Sequence, residues 1–263
     1  MTPSAMNTVL RAEWVKSRTL PSTFWQLAGA IVATVAISAG VAAGTKCGSA
    51  SCGYDPAKTS LTGVYLGQAV FAVLAVVAIG NEYSTRMITS TFAAMPRRTG
   101  VLAAKAAIIA GLVLAAGLVA VAGSMLAAQL VLPGNGFTAG HGYLAVSLSS
   151  EPMLRAGFGT VLYLALVGLL SLGVATAVRD SAVAIGLVLA LLFVIPIAAT
   201  FVGNHTVQRH LEQIAPMTAG LAIEDTVNVA SQPIGPWAGL GVLAAWTAGA
   251  LLLGWLVLIR RDA

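Results

Sequence analysis

Charge is what this chain has least of. Only 9% of its 263 residues are Asp, Glu, Lys or Arg, while 58% are hydrophobic. Soluble domains carry about 25% charged residues, so the composition excludes a water-soluble globule and predicts an all-α integral membrane protein. The surplus of base over acid, +5, is scattered between apolar runs and forms no stripe, which argues against a nucleic-acid partner. No stretch reads Gly-x-x-x-x-Gly-Lys-Ser/Thr. The nearest approach, Gly40-Val-Ala-Ala-Gly-Thr-Lys46, has the wrong spacing to cradle phosphates, so the chain carries no ATP-hydrolysing loop of its own. His-Glu-x-x-His and Gly-x-Ser-x-Gly are missing as well, which removes the zinc-hydrolase and serine-nucleophile signatures.

What is present is length. A spanning helix needs about 20 apolar residues, and runs of that kind occupy 24–44, 61–80, 102–132, 156–178, 182–202 and 237–259. Six spans place both termini on one side. Arg11, Lys16, Arg18, Arg86, Arg97, Arg98, Lys105, Arg179, Arg260 and Arg261 fall on that side, against Lys46, Lys58, Arg155 and Arg209 on the other. The positive-inside rule then predicts cytoplasmic termini in a cell (plasma) membrane. The first run is longer than the core of a signal peptide and is expected to be retained. One transmembrane domain, 1–263, accounts for the chain.

Within the spans no ionisable residue is expected at depth. Gln68, Gln129 and scattered Ser and Thr are the polar groups there. An ion- or proton-coupled carrier needs a titratable relay, so that class is disfavoured. Pro196 falls inside the fifth run and predicts a kink.

The connecting segments are more telling. Residues 6–19 pattern as a short helix before Pro21, with Val9, Leu10 and Trp14 on one face and Arg11, Glu13, Lys16 and Arg18 on the other. Such a helix lies in the headgroup region, and Trp14, Lys16 and Arg18 are its expected interfacial anchors in membrane lipid. Cys47 and Cys52, the only cysteines, share the first exterior loop; an oxidising outer face favours a disulfide between them over two free thiols. The loop at 133–155 is rich in Gly, Ser and Pro, and Arg179-Asp-Ser181 forms a tight turn. Within the exterior stretch 203–236, residues 214–223 are too apolar for a free loop and too short to span, which suggests an interfacial or re-entrant segment. His141, His205 and His210 fall in exterior loops, and two His five apart with no nearby Cys form no recognised metal site.

Between the second and third spans, Tyr83, Met87, Ile88, Phe92 and Met95 share one face of a helix over 82–95. Glu82 and Arg86 are spaced to pair, and Pro96 ends the helix before Arg97 and Arg98. An apolar stripe of this kind suits lipid headgroups or a groove on another protein equally well.

The chain resembles the membrane subunit of an ABC-2-type transporter. The likeness lies in Glu13-Trp-Val-Lys-Ser-Arg-Thr19, in Gly80-Asn-Glu-Tyr-Ser-Thr-Arg-Met-Ile-Thr-Ser-Thr91 and in Met95-Pro-Arg-Arg98. The six-span layout and the apolar segment between spans five and six extend it over the whole chain. The resemblance implies an elbow-like N-terminal helix, a coupling helix between spans two and three, and short exterior helices between spans five and six that dip into the outer leaflet. It implies a second permease, identical or related, and separate ATP-binding subunits carrying ATP and Mg. Glu82, Tyr83, Arg86, Met87 and Thr91 are then the expected ATPase contacts. Asn81 departs from the Gly or acidic residue often found there, which bears on where the coupling helix starts. The rival classes are a membrane-embedded enzyme and a non-transporting accessory or immunity protein. Glu82-x-x-x-Arg86 resembles part of the glutamate–arginine motif of CAAX-type proteases, but that motif wants a second Glu at 81 and His residues within later spans.

Overall fold

The computed structural model describes residues 3–19, 21–48, 53–85, 98–138 and 150–260. They are helical with no strand among the described residues. Six helices are long and apolar enough to cross a membrane, the architecture of a multi-pass membrane protein. In chain order, α1 is Pro3–Thr19, α2 Pro21–Gly44, α3 Pro56–Leu61, α4 Val64–Ser84, α5 Arg98–Val131 and α6 Glu151–Val178. The fifth span, α7, covers Ser181–Thr200. Two short helices, α8 His205–Ile214 and α9 Pro216–Leu221, precede α10, Pro236–Arg260.

Helix α6 is the hub. It packs against α4, α5, α7 and α10 and buries Tyr163, Leu164, Val167, Leu170 and Leu172 completely. Small residues set these contacts: a Cβ on Gly173 would press on the Ala250–Leu251 backbone of α10, so close helix approach depends on its absence. At mid-bundle the Tyr163 hydroxyl donates to the Gln68 side-chain carbonyl, joining α6 to α4, and Gln68 donates to the Tyr65 carbonyl at 3.0 Å. Both polar side chains are fully buried and satisfied, as an apolar environment demands.

Several span boundaries differ from those the hydropathy predicts. The second span starts at Val64 because Asp55 caps a separate helix, α3, accepting from Ala57 N at 2.9 Å, and Pro56 opens it. It also runs on to Ser84, taking Glu82 and Tyr83 into its last turn. The fourth span begins at Glu151, so Arg155 lies within a helix. The turn after it is as tight as expected: Arg179 takes φ 64°, and Asp180 caps α7 by accepting from Val183 N at 2.8 Å. In α7 the predicted distortion is a π-helical turn over Ala190–Val194, just before Pro196. Proline has no N–H to return to the Leu192 carbonyl, and a widened turn absorbs the mismatch.

The segment at 214–223 turns inward. Helix α9 buries Pro216, Met217, Ala219, Gly220 and Leu221 and packs against α10 and α6, whereas α8 buries no residue. His205 and His210 are exposed on α8. His141 lies outside the described residues. Cys47 is disulfide-bonded; Cys52, the only other cysteine, is outside them too.

Candidate functional site

The terminal face of the bundle, where α1 meets the ends of α4 and α5, holds a closed ring of four charges. Lys105 Nζ lies 2.8 Å from Glu13 Oε2 and 2.8 Å from Glu82 Oε1. Lys16 Nζ lies 2.9 Å from Glu82 Oε1 and 3.1 Å from Glu13 Oε1. Acid and base therefore alternate around the ring. Glu13, Glu82 and Lys105 are at most 7% exposed, while the Lys16 side chain is 40% exposed. Glu82 Oε2 is buried with no hydrogen-bond partner among the described residues.

Each member arrives by a separate local route. Glu13 and Lys16 are three apart on α1 and share a face. Glu82 is in the last turn of α4. Lys105 sits seven residues into α5, roughly 10 Å along its axis. Breaking a buried pair by removing one partner is far more costly than the pair's net contribution to stability. The ring thus fixes how α1 sits on spans two and three more than it adds stability.

This geometry departs from the sequence-based expectations at this face. Part of the polar face of α1 points inward: Glu13 is buried and Lys16 partly so, while Arg11 and Arg18 stay exposed and Trp14 and Val15 are 45% and 56% exposed. Trp14 and Arg18 remain on the exposed side, whereas the half-exposed Lys16 is paired with Glu13 and Glu82 within the protein. The physical reason is that α1 packs on α5 and meets α2, where the buried Glu82 and Lys105 need partners. Likewise Glu82 is not on an outward docking face: it closes the ring. The absence of buried charge from the spans also fails at this end, where Lys105 and Glu82 belong to spanning helices.

Tyr83 is half-buried beside the ring. The Arg179 guanidinium stands 5.8 Å from its ring centroid, within cation–π range, and donates to the Val257 carbonyl at 3.1 Å. The end of the second span is thereby joined to the turn between spans four and five and to the last span. Arg86, Met87 and Thr91, the rest of the expected ATPase contacts, lie outside the described residues, as does the helix expected over 82–95 beyond Thr85.

A second charged cluster lies at the opposite face. Asp55, besides capping α3, accepts from Thr226 N and Oγ1 at 2.6 Å each and from Val227 N at 2.9 Å. Lys58 pairs with Asp225, and Arg155 donates to the Asp225 carbonyl. Glu224 is completely buried; Thr160 Oγ1 donates to its Oε1 at 3.1 Å, and its Oε2 has no partner among the described residues. Burial pushes the Glu224 carboxyl up to about 8, against the opposing pull of the Thr160 hydrogen bond and Lys58, with a smaller upward push from the neighbouring Asp225 and Asp55. Sequence reasoning missed this cluster; Glu224-Asp225 after an apolar stretch was its only local sign.

Among the described residues no group of three or more His, Cys, Asp or Glu is placed to hold a metal ion. The chain matches no protein-family model and no characterised protein.

Proposed function

We propose that this chain is the transmembrane permease subunit of an ATP-driven exporter of the ABC-2 type. It pairs with a second permease, identical or related, and with separate ATP-binding subunits that hold ATP and Mg. Its termini face the cytoplasm of a plasma membrane, and export is the direction the resemblance implies.

The observation that carries this reading is the charge ring. It joins α1 to the two helices that flank residues 86–97, the stretch whose apolar stripe and basic end resemble a coupling helix. A push delivered there reaches α1, α4 and α5 together through Glu82 and Lys105, and reaches α6 and α10 through Tyr83, Arg179 and Val257. A lever of that kind suits a transporter powered from outside its own chain. Apolar surface on α2, α7 and α10, including Val32, Val194, Leu252 and Leu253 at 57–65% exposure, is available to lipid and to a second permease.

The test is co-expression with candidate ATP-binding subunits and purification through a tag on this chain. An ATPase should co-purify, and its hydrolysis rate should change in the complex. Arg86→Glu and Met87→Asp should release it while the permease still elutes as a single folded species. An ATPase that never co-purifies, or one retained unchanged by both variants, would refute the proposal.

A further inference from the structure

The charge ring also forms the wall of a cavity of about 300 Å³ enclosed by α1, α2, α4 and α5. That is the low end of the volume range of small-molecule sites. Its lining is graded. At the level of the ring it presents the Lys16 ammonium, the Ser22 and Thr23 hydroxyls and the Asn81 amide. Deeper, the walls are Leu74, Val77, Ile109 and Leu112; Thr19 and Gln26 also line the cavity. Leu74 precedes Glu82 by eight residues on α4, and Leu112 follows Lys105 by seven on α5. At 1.5 Å per residue the cavity therefore runs roughly 10–12 Å from charge into the apolar bundle.

We propose that this cavity is a phospholipid site, taking an anionic headgroup at Lys16 and one acyl chain along Leu74, Val77 and Leu112. Three features argue for this occupant. The polar-to-apolar gradient follows the order of groups in a lipid and is aligned with the spans. The ring is neutral overall, but of its four charges Lys16 alone is substantially exposed, so a ligand at the mouth meets an ammonium ahead of the buried carboxylates that pair with it. Ser22, Thr23 and Asn81 add donors suited to phosphate oxygens. Free phosphate matches the mouth but not the apolar depth, and a neutral hydrocarbon matches only the depth. The site stands whether or not the chain transports anything.

The test uses the full-length chain in non-ionic detergent. Its thermal midpoint is followed as phosphatidylglycerol, phosphatidylcholine or inorganic phosphate is added, and retained lipid is counted by native mass spectrometry. Phosphatidylglycerol should raise the midpoint and be retained, phosphatidylcholine should act more weakly, and phosphate alone should do nothing. Two exposed lining positions outside the ring, Ser22 and Ala78, supply the variants. Ser22→Asp should weaken phosphatidylglycerol binding about fivefold and Ser22→Lys strengthen it by a similar factor, from about 1 kcal/mol per charge near an anionic lipid. Ala78→Trp should fill the cavity and abolish retention. Equal stabilisation by both lipids, unchanged retention by Ala78→Trp, or the full effect from phosphate alone would each overturn the proposal.

Discussion

Replacing Glu224 by Gln should remove a pH dependence of stability that the native chain carries. The Glu224 carboxyl ionises near 4.5 when exposed and near 8 in the fold, chiefly because burial penalises its charged form. Below the lower value both folded and unfolded chains hold the proton, and the folded state has its full stability. Between the two values the unfolded chain releases a proton that the folded chain keeps, so stability falls as pH rises; above about 8 the loss is complete. At about 1.4 kcal/mol per pH unit the gap corresponds to roughly 5 kcal/mol, an upper limit because relaxation and water entry soften burial. Gln has nearly the same shape, stays neutral and can still accept from Thr160. The assay is thermal unfolding in detergent from pH 5 to pH 9 for both proteins. The two midpoints should lie close together at pH 5 and diverge by pH 8, with Glu224→Gln the more stable. Parallel profiles across that range would refute the reasoning and mean that Glu224 is ionised in the fold.

Three further outcomes follow from the packing. Lys105→Met leaves the buried carboxylates of Glu13 and Glu82 to share Lys16 alone and should cost up to about 3–5 kcal/mol, partly recovered in the Lys105→Met, Glu82→Gln double variant; a double-mutant cycle on thermal midpoints measures the coupling. Gly239→Ala sets a methyl against the Ala219 carbonyl, which is backbone and cannot step aside, and should cost about 1–3 kcal/mol. Gly111→Ala, with no atom within 4 Å of the new Cβ, should instead be neutral or gain up to about 1 kcal/mol of helix propensity, and denaturation of the pair side by side separates the two cases. Asp55→Ala removes the cap of α3, worth about 1 kcal/mol, and strands the Thr226 and Val227 N–H groups; amide exchange should accelerate at both residues and in the first turn of α3.

How much of this was readable in the residues follows from the range of the interactions involved. The six spans were legible because hydrophobic length is a local property, and Pro196 announced its distortion because a missing N–H acts within one helical turn. Boundaries were less so: the break between α3 and α4 depends on Asp55 as a cap, inside a run whose hydropathy continues smoothly. The charge ring was out of reach. Glu13, Lys16, Glu82 and Lys105 are spread over three helices, and Glu82 and Lys105 are 23 residues apart. Read locally, each resembles an ordinary flanking charge, and the positive-inside rule treats Lys16 and Lys105 as nothing more. Glu82 shows the cost of that locality. Its neighbours Tyr83 and Met87 form an apolar stripe, and Glu82 can pair with Arg86, so the stretch reads as a helix starting near 81 and facing outward. Once α4 is seen to run unbroken to Ser84, Glu82 belongs to a span, and a span cannot leave a carboxylate without a partner. The partner had to be a cation from another helix. Lys105 supplies it from α5, and the second carboxylate and second ammonium are brought by α1, which is why that helix turns Glu13 and Lys16 inward.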